Sequence, residues 1–396
     1  SAYHALELSG LAFTTDDSGF GLFLCSIEDV GDSSPACDNG DRYWATSVWN
    51  AATELWDARW VGIADAMISE DGHVEGFSWS DPGWMAVDPP PAPPLTVAWQ
   101  ALTWLETQQQ ADGSFGASGN TAEVLMALGA NRMDGADWRQ AGGASVRSAI
   151  LGQSRQLAAT AAGAGKLALA LTAQDICWLY SALQPLDYYS ATTGAFDADA
   201  APHALAMLGT TALSQTVPAS ATAYLLDLQQ SNGGWEWGAG WGADTNATAL
   251  ALQALIATGE SPTSTAVISG LTYLKQAQNN DGGFPYDPVS PWGTDSDTNS
   301  TAYVVQALLA VGENPLSSEW SAGGMTGTMI ISGTNPIAFL LGMQLPDGSF
   351  EWQKGGGANQ KATQQATTAL LYRPFPIRTA VLAPCEAVFL PFVARD

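Results

Sequence analysis

A seven-residue pattern that returns four times constrains this chain more than any other feature. Gln109-Gln-Ala-Asp-Gly-Ser-Phe115 is matched by Gln229-Gln-Ser-Asn-Gly-Gly-Trp235, Gln278-Asn-Asn-Asp-Gly-Gly-Phe284 and Gln344-Leu-Pro-Asp-Gly-Ser-Phe350. A shortened copy stands at Thr193-Gly-Ala-Phe196. The clear copies begin 120, 49 and 66 residues apart. Helix-pair repeats run at roughly 40 to 50 residues, so the first interval holds two further units. One is the shortened copy, and the other is placed near Gly152-Gln153. Six units result.

Each unit has a mechanical reading. An amphipathic helix, such as Ala219 to Gln230, ends at the motif's Gln. Asp-Gly or Asn-Gly then supplies the positive φ that turns the chain, and the aromatic packs back on the helix ends. A second helix starts at a polar cap, as at Asp244-Thr-Asn-Ala-Thr248, Asp297-Thr-Asn-Ser-Thr301 or Asn120-Thr121. Its body, as in Ala249-Leu-Ala-Leu-Gln-Ala-Leu-Ile256, is apolar nearly all round and is predicted to be buried on most sides. It ends at Gly129, Gly209, Gly259 or Gly312. Outer amphipathic helices alternating with buried inner ones describe an (α/α)6 toroid.

The predicted class is multidomain α+β, with three regions. Residues 1–88 are rich in Trp, Tyr, Gly and Asp and read as a β-rich domain. Residues 89–94 are a stiff Pro-rich linker. The toroid spans 95–373, and 374–396 is an extended, β-prone tail. Thirteen Lys and Arg against 39 Asp and Glu give a net charge of −26, which repels nucleic acid and anionic lipid. No apolar run reaches the length of a membrane span. The chain begins at Ser1 without a methionine, which reads as removal of a leader. Four cysteines, Cys25, Cys37, Cys177 and Cys385, then point to disulfides and an extracellular or cell-surface location. Cys25 and Cys37 are the expected pair, leaving Cys177 with Cys385.

The Q-x-x-D/N-G-S/G-F/W pattern resembles the repeats of squalene–hopene cyclases and of the prenyltransferase superfamily. The resemblance implies the toroid over most of 95–373. It also implies where a catalytic acid belongs: class II cyclases protonate an alkene with the middle Asp of a D-x-D-D motif. The nearest match is Thr294-Asp-Ser-Asp-Thr298, with Ser296 in the donor's place. The D-D-x-x-D of ionising terpene synthases is absent. None of His4, His73 and His203 stands in the zinc-site context of prenyltransferase β-subunits. Asp244, Asp295 and Asp297 therefore read as helix caps. Asp281, Asp287, Asp295 and Asp297 are weak calcium candidates without the ordered spacing of an EF-hand. Asn246 and Asn299 open formal glycosylation sequons inside the same caps.

Tyr43-Trp-Ala-Thr-Ser-Val-Trp49, Trp56 and Asp71-Gly-His-Val-Glu-Gly-Phe-Ser-Trp79 resemble the β-domain of the transcobalamin and intrinsic-factor superfamily. Against that family the domain order is reversed and the first strands are missing. The tail residues Ala387, Val388, Phe389, Leu390, Phe392 and Val393 form a spare apolar strand. They complete a sheet either within the chain or in a neighbour. These features lead to the expectation of a secreted, non-catalytic structural protein. It would polymerise with itself head-to-tail, by the tail strand, into a filament or tube, with no cofactor beyond possible calcium. An extracellular carrier of a corrinoid or other apolar ligand, held between toroid and β-domain, is the first alternative. A terpene-cyclase-like enzyme is the second, disfavoured one.

Overall fold

The computed structural model describes residues 3, 13–17, 22–27, 30–31, 37, 43–50, 55–59, 63, 75–79, 95–176, 182–290, 293–321, 325–326, 329–330 and 334–377. The chain separates into two compact units, Ser1–Pro93 and Pro94–Asp396. The first is a small β region. The second is a helical domain with eleven α-helices among the described residues, so the fold is α+β. Cys177, Cys385, the linker at 89–94 and the proposed tail strand Ala387, Val388, Phe389, Leu390, Phe392 and Val393 lie outside the described residues, as do His4 and His73.

The β region holds two antiparallel sheets. β1 (Phe13–Asp17), β2 (Leu22–Ile27) and β3 (Val30–Gly31) lie in that order. β4 (Trp44–Asn50) runs between β5 (Leu55–Arg59) and β6 (Glu75–Trp79). The register sets Trp49 opposite Trp56 and Trp44 opposite Trp79. The aromatic positions of the sequence thus fall on facing points of one ladder. Leu24 and Ile63 are buried at the centre, with Phe13, Leu22, Ile27, Trp44 and Phe77 packed against them. Cys25 and Cys37 form a disulfide with Cα atoms 5.2 Å apart.

In the helical unit, five outer and six inner helices alternate except at the consecutive inner helices Ala161–Thr172 and Ala200–Ala212, between which the described residues hold only a 3-10 turn. The outer set is α1 (Leu95–Gln108), α3 (Val146–Leu157), α6 (Ala219–Asp227), α8 (Thr265–Ala277) and α10 (Pro336–Gly342). The inner set is α2 (Ser118–Ala130), α4 (Ala161–Thr172), α5 (Ala200–Ala212), α7 (Thr245–Ala257), α9 (Thr298–Val311) and α11 (Gln360–Leu370). A 3-10 turn at Pro185–Tyr188 packs on α4 and α5. Each inner helix packs on the next, and α11 packs on α2, so the six close a ring. Their Ala/Leu bodies are buried on nearly every side because they face both the outer helices and their ring neighbours.

Two sequence readings are corrected. Gly129 and Gly209 do not end helices; both lie inside them. Their role is close approach: a Cβ at Gly129 would meet the Ala173 carbonyl oxygen at 2.1 Å, and one at Gly209 would meet the Gly165 Cα at 2.5 Å. Gly312 does end α9 in the left-handed region. Gly152-Gln153 is not a turn but part of α3; the turn of the second unit falls just after it, where Thr160 caps α4.

The four motifs do identical work. The Gln side-chain amide donates to the carbonyl of its own motif Gly and to a carbonyl at the next outer segment. The second acceptors are Trp138 (3.3 Å), Ala266 (2.9 Å), Trp320 (2.7 Å) and Val97 (3.0 Å). The Gln344–Val97 bond joins the last unit to the first. Each motif Gly has positive φ. A Cβ there would meet a carbonyl oxygen of that neighbouring segment at 2.3–2.4 Å, as at Gly282 against Thr334 and Gly348 against Gln100. The backbone N–H of each motif aromatic, buried, donates to a Thr hydroxyl four residues past the inner-helix cap. The pairs are Phe115–Thr121, Trp235–Thr248, Phe284–Thr301 and Phe350–Thr363. In the shortened copy His203 takes the Thr's place: its Nδ1 accepts from Phe196 N–H at 3.1 Å. Its Nε2–H then donates to the Ala221 carbonyl at 2.9 Å.

Thr248→Val keeps the shape and strands a buried N–H, so it should cost about 1–3 kcal/mol in urea denaturation. Burial holds the His203 imidazole below the usual histidine range. Its neutral form therefore contributes stability that is complete above about pH 6.5 and is lost as pH falls below that value. His203→Thr should flatten that part of the stability profile.

Candidate functional site

Three consecutive units carry an aromatic two residues beyond the motif's last residue: Trp237, Tyr286 and Trp352. Together with Trp241 and Tyr303 they line a cavity of about 600 Å³, within the range of small-molecule sites. Trp241 and Trp352 remain 72% and 48% exposed at its mouth. The other walls come from the first turns of α7, α9 and α11, which contribute Asn246, Asn299, Ser300, Asn359 and Lys361. Lys166 of α4 and Gln365 of α11 complete them. The inner helices point their N-termini at this end because every motif turn delivers the chain there.

One acidic residue lines the cavity, Asp297. It caps α9, accepting from Ser300 N–H and from the Ser300 hydroxyl, both at 2.8 Å. Burial raises its pKa above the usual carboxylate range, only partly offset by those bonds. The equivalent cap of α7, Asp244, is pushed up to about 7 by burial, although Ala247 and Trp237 N–H donate to it. Asp244 does not line the cavity; its 2.7 Å bond to Trp237 N–H fixes where Trp237 stands.

Behind the cavity wall lies a charged pair. Lys166 Nζ is 2.5 Å from Glu123 Oε1. Burial, the largest single influence, would raise the Glu123 pKa, but the Lys166 ammonium, the Lys361 charge and the Gln364 amide together outweigh it and hold the carboxyl below its usual range. Gln364 and Gln365 amides donate to the other Glu123 oxygen. Gln365 also reaches Tyr303 at 3.3 Å and accepts from Asn299 at 2.5 Å. The Tyr303 hydroxyl, which accepts from the Gln365 amide, is pushed up to about 12 by burial and by Glu123, so it stays neutral.

Ser296 does not face the cavity. Its hydroxyl donates to Asp281 at 2.7 Å and accepts from Asn279 at 3.0 Å. The calcium candidates do not converge. Asp281 also holds its own turn through Gly283 N–H, Asp287 accepts from Val289 N–H, Asp295 is exposed and Asp297 caps α9. Among the described residues no group of three or more His, Cys, Asp or Glu is placed to hold a metal. Asn246 and Asn299 line the cavity, and Asn299 is 9% exposed and bonded to Gln365, which leaves no room there for a glycan. No helix among the described residues is long and apolar enough to cross a membrane. Sequence reading missed Lys166, Glu123, Lys361 and the aromatics. The recurring aromatic at motif plus two was the available signal.

The model of the squalene-hopene cyclase C-terminal domain matches residues 172–356, a little under half of the chain. No curated protein matches. Among solved structures, the apo type II terpene cyclase MstE from Scytonema is 15% identical, with 70% of this chain and 97% of that chain covered and a TM-score of 0.50. The ent-copalyl diphosphate synthase from Streptomyces platensis is 18% identical over 64% of this chain and 49% of its own, with a TM-score of 0.40. A protein from Actinoplanes is 13% identical over 70% and 98%, with a TM-score of 0.43. At 15% identity the likeness to the Scytonema enzyme is one of fold alone.

The matches overturn the expectation of a self-assembling, non-catalytic structural protein. The family match lies on segments that build the cavity, and nothing among the described residues supports a filament. The reading of the chain as not an enzyme rested on Ser296. The match to the squalene-hopene cyclase C-terminal domain over 172–356 is the finding against it.

Lys166→Met leaves the buried Glu123 charge without its cation and should cost about 3–5 kcal/mol; adding Glu123→Met should recover most of it. Denaturant midpoints of the two single variants and the double variant measure this. Because the folded pKa of Asp244 lies above its unfolded value, the stabilising proton is lost as pH rises from about 4 to about 7. Asp244→Asn, which keeps the cap, should remove that decline in thermal unfolding scans.

Proposed function

We propose that the helical unit is an (α/α)6 toroid of the cyclase superfamily, and that its cavity binds an isoprenoid-type ligand and cyclises it by proton transfer from Asp297. One observation carries this reading: Asp297, a buried acid whose pKa burial raises, is the one acidic residue lining a cavity that five aromatic residues also line. The proton passes from the Asp297 carboxyl to an alkene carbon, leaving a carboxylate and a carbocation. The carboxylate is held by the Ser300 N–H and hydroxyl. The carbocation lies among the faces of Trp237, Tyr286 and Trp352, where aromatic quadrupoles stabilise positive charge. Ring closure follows, and proton loss ends it. The cyclase match over 172–356 supports the assignment. The N-terminal unit is proposed, on the aromatic ladder of β4, β5 and β6, to be a transcobalamin-like β-domain.

Asp297→Asn tests the chemistry without removing the cap, since Asn caps a helix as well as Asp. With polyprenyl substrates assayed by gas chromatography, the wild type should yield cyclised product and the variant at least about 100-fold less, at an unchanged melting temperature. Equal product from both proteins, or none from the wild type, overturns the proposal.

A further inference from the structure

The cavity walls differ from those of a site for a plain hydrocarbon. Five lining residues are aromatic, eight are polar or charged, and none is aliphatic. Two of the eight are lysines, in a chain with only 13 Lys and Arg against 39 acidic residues. Lys166 is neutralised by Glu123 at 2.5 Å. Lys361 makes no direct hydrogen bond or ion pair among the described residues and acts on Glu123 only through its field; its position is informative.

α7 and α9 open with the same triplet: Asp244-Thr-Asn246 and Asp297-Thr-Asn299. In each, an acidic cap faces the positive helix end and an Asn projects to the cavity. α11 opens with Asn359-Gln-Lys361. The carboxylate of the cap is replaced by a neutral Asn, which still accepts from Ala362 N–H at 2.9 Å. The Asn at the cavity position is replaced by Lys361. A cation in the first turn of a helix opposes the helix dipole, so local stability does not account for Lys361. A local rule broken at a cavity wall marks a functional demand. Of the charged residues lining the pocket, Lys166 is paired with Glu123 and Asp297 is bonded by Ser300, which leaves Lys361 as the exposed cation of its wall. Asn359 and Asn246 stand beside it as neutral donors.

We infer that Lys361 recognises an anionic headgroup, a carboxylate or a phosphate, on a ligand whose body lies against Trp237, Tyr286 and Trp352. The inference rests on the isoprenoid reading of the cavity for the body of the ligand and adds the charge of its head. The ligand is an anionic amphiphile rather than a neutral polyene.

Tryptophan fluorescence of the full chain reads binding directly, because three tryptophans line the cavity. Geranylgeraniol, geranylgeranoic acid and geranylgeranyl phosphate share one chain and differ in the head; dodecyl phosphate and dodecanol repeat the contrast without alkenes. One or both anionic prenyl probes should bind about tenfold or more tightly than the alcohol, and whichever of the two binds better identifies the head as carboxylate or phosphate. Lys361→Gln should erase that difference while leaving geranylgeraniol affinity unchanged, and Lys361→Arg should keep it. Lys361 is exposed, so both variants are expected to fold, and far-ultraviolet circular dichroism checks it. Equal affinity of alcohol and anions in the wild type overturns the inference and leaves the isoprenoid reading standing. A charge preference that survives Lys361→Gln also overturns it. Preference for dodecyl phosphate over dodecanol, lost in Lys361→Gln and with no prenyl probe binding, supports the anion site and removes the isoprenoid reading.

Discussion

The carboxamide of the motif glutamine is the contact on which the helical unit depends. It ties its own turn to the next outer segment, through Trp138, Ala266, Trp320 and, across the closure, Val97. Each such bond is modest alone, about 1 kcal/mol net. The geometry around it is less forgiving. The motif glycine sits within reach of the same neighbour's carbonyl at a positive φ, so no other residue fits. Because the last clamp returns to the first helix, the repeats form a ring and not an open stack. A ring has an interior end, and the cavity is that end.

The same local chemistry is used twice, once for structure and once for the site. Asp244 and Asp297 cap equivalent helices with the same bonds. The first turns its second oxygen to Trp237 N–H and acts as a support for the aromatic wall. The second belongs to a residue that lines the cavity. A cap also keeps the carboxyl rigid, since both oxygens are bonded by the helix start that it terminates.

Behind the wall, the Glu123–Lys166 pair links α2 to α4, and the Gln364 and Gln365 amides bring in α11. Gln365 extends the network to Tyr303 and Asn299 of α9. Buried ion pairs seldom add net stability. This one joins four of the six inner helices in one polar layer. The close Gly165–Gly209 contact does the equivalent work on the other side of the ring with no polar group at all.

The repeat made the ring legible. A pattern of Gln, Asp-Gly and an aromatic at unit spacing admits few structures, because each residue answers a separate local demand: an amide donor, a positive φ and a buried ring. Alternating aromatics at 43–49 and 75–79 made the β4–β6 ladder legible for the same reason. What only the tertiary structure decided was which polar residues meet. Ser296 and Asp297 are adjacent in sequence, yet one bonds to Asp281 in a surface turn and the other lines the cavity. Lys166 and Lys361 are separated by nearly the whole ring and share a cavity wall because the ring closes. Helix start and turn chemistry are local and can be read from neighbours along the chain. A site assembled from four inner helices depends on closure, which no single unit encodes.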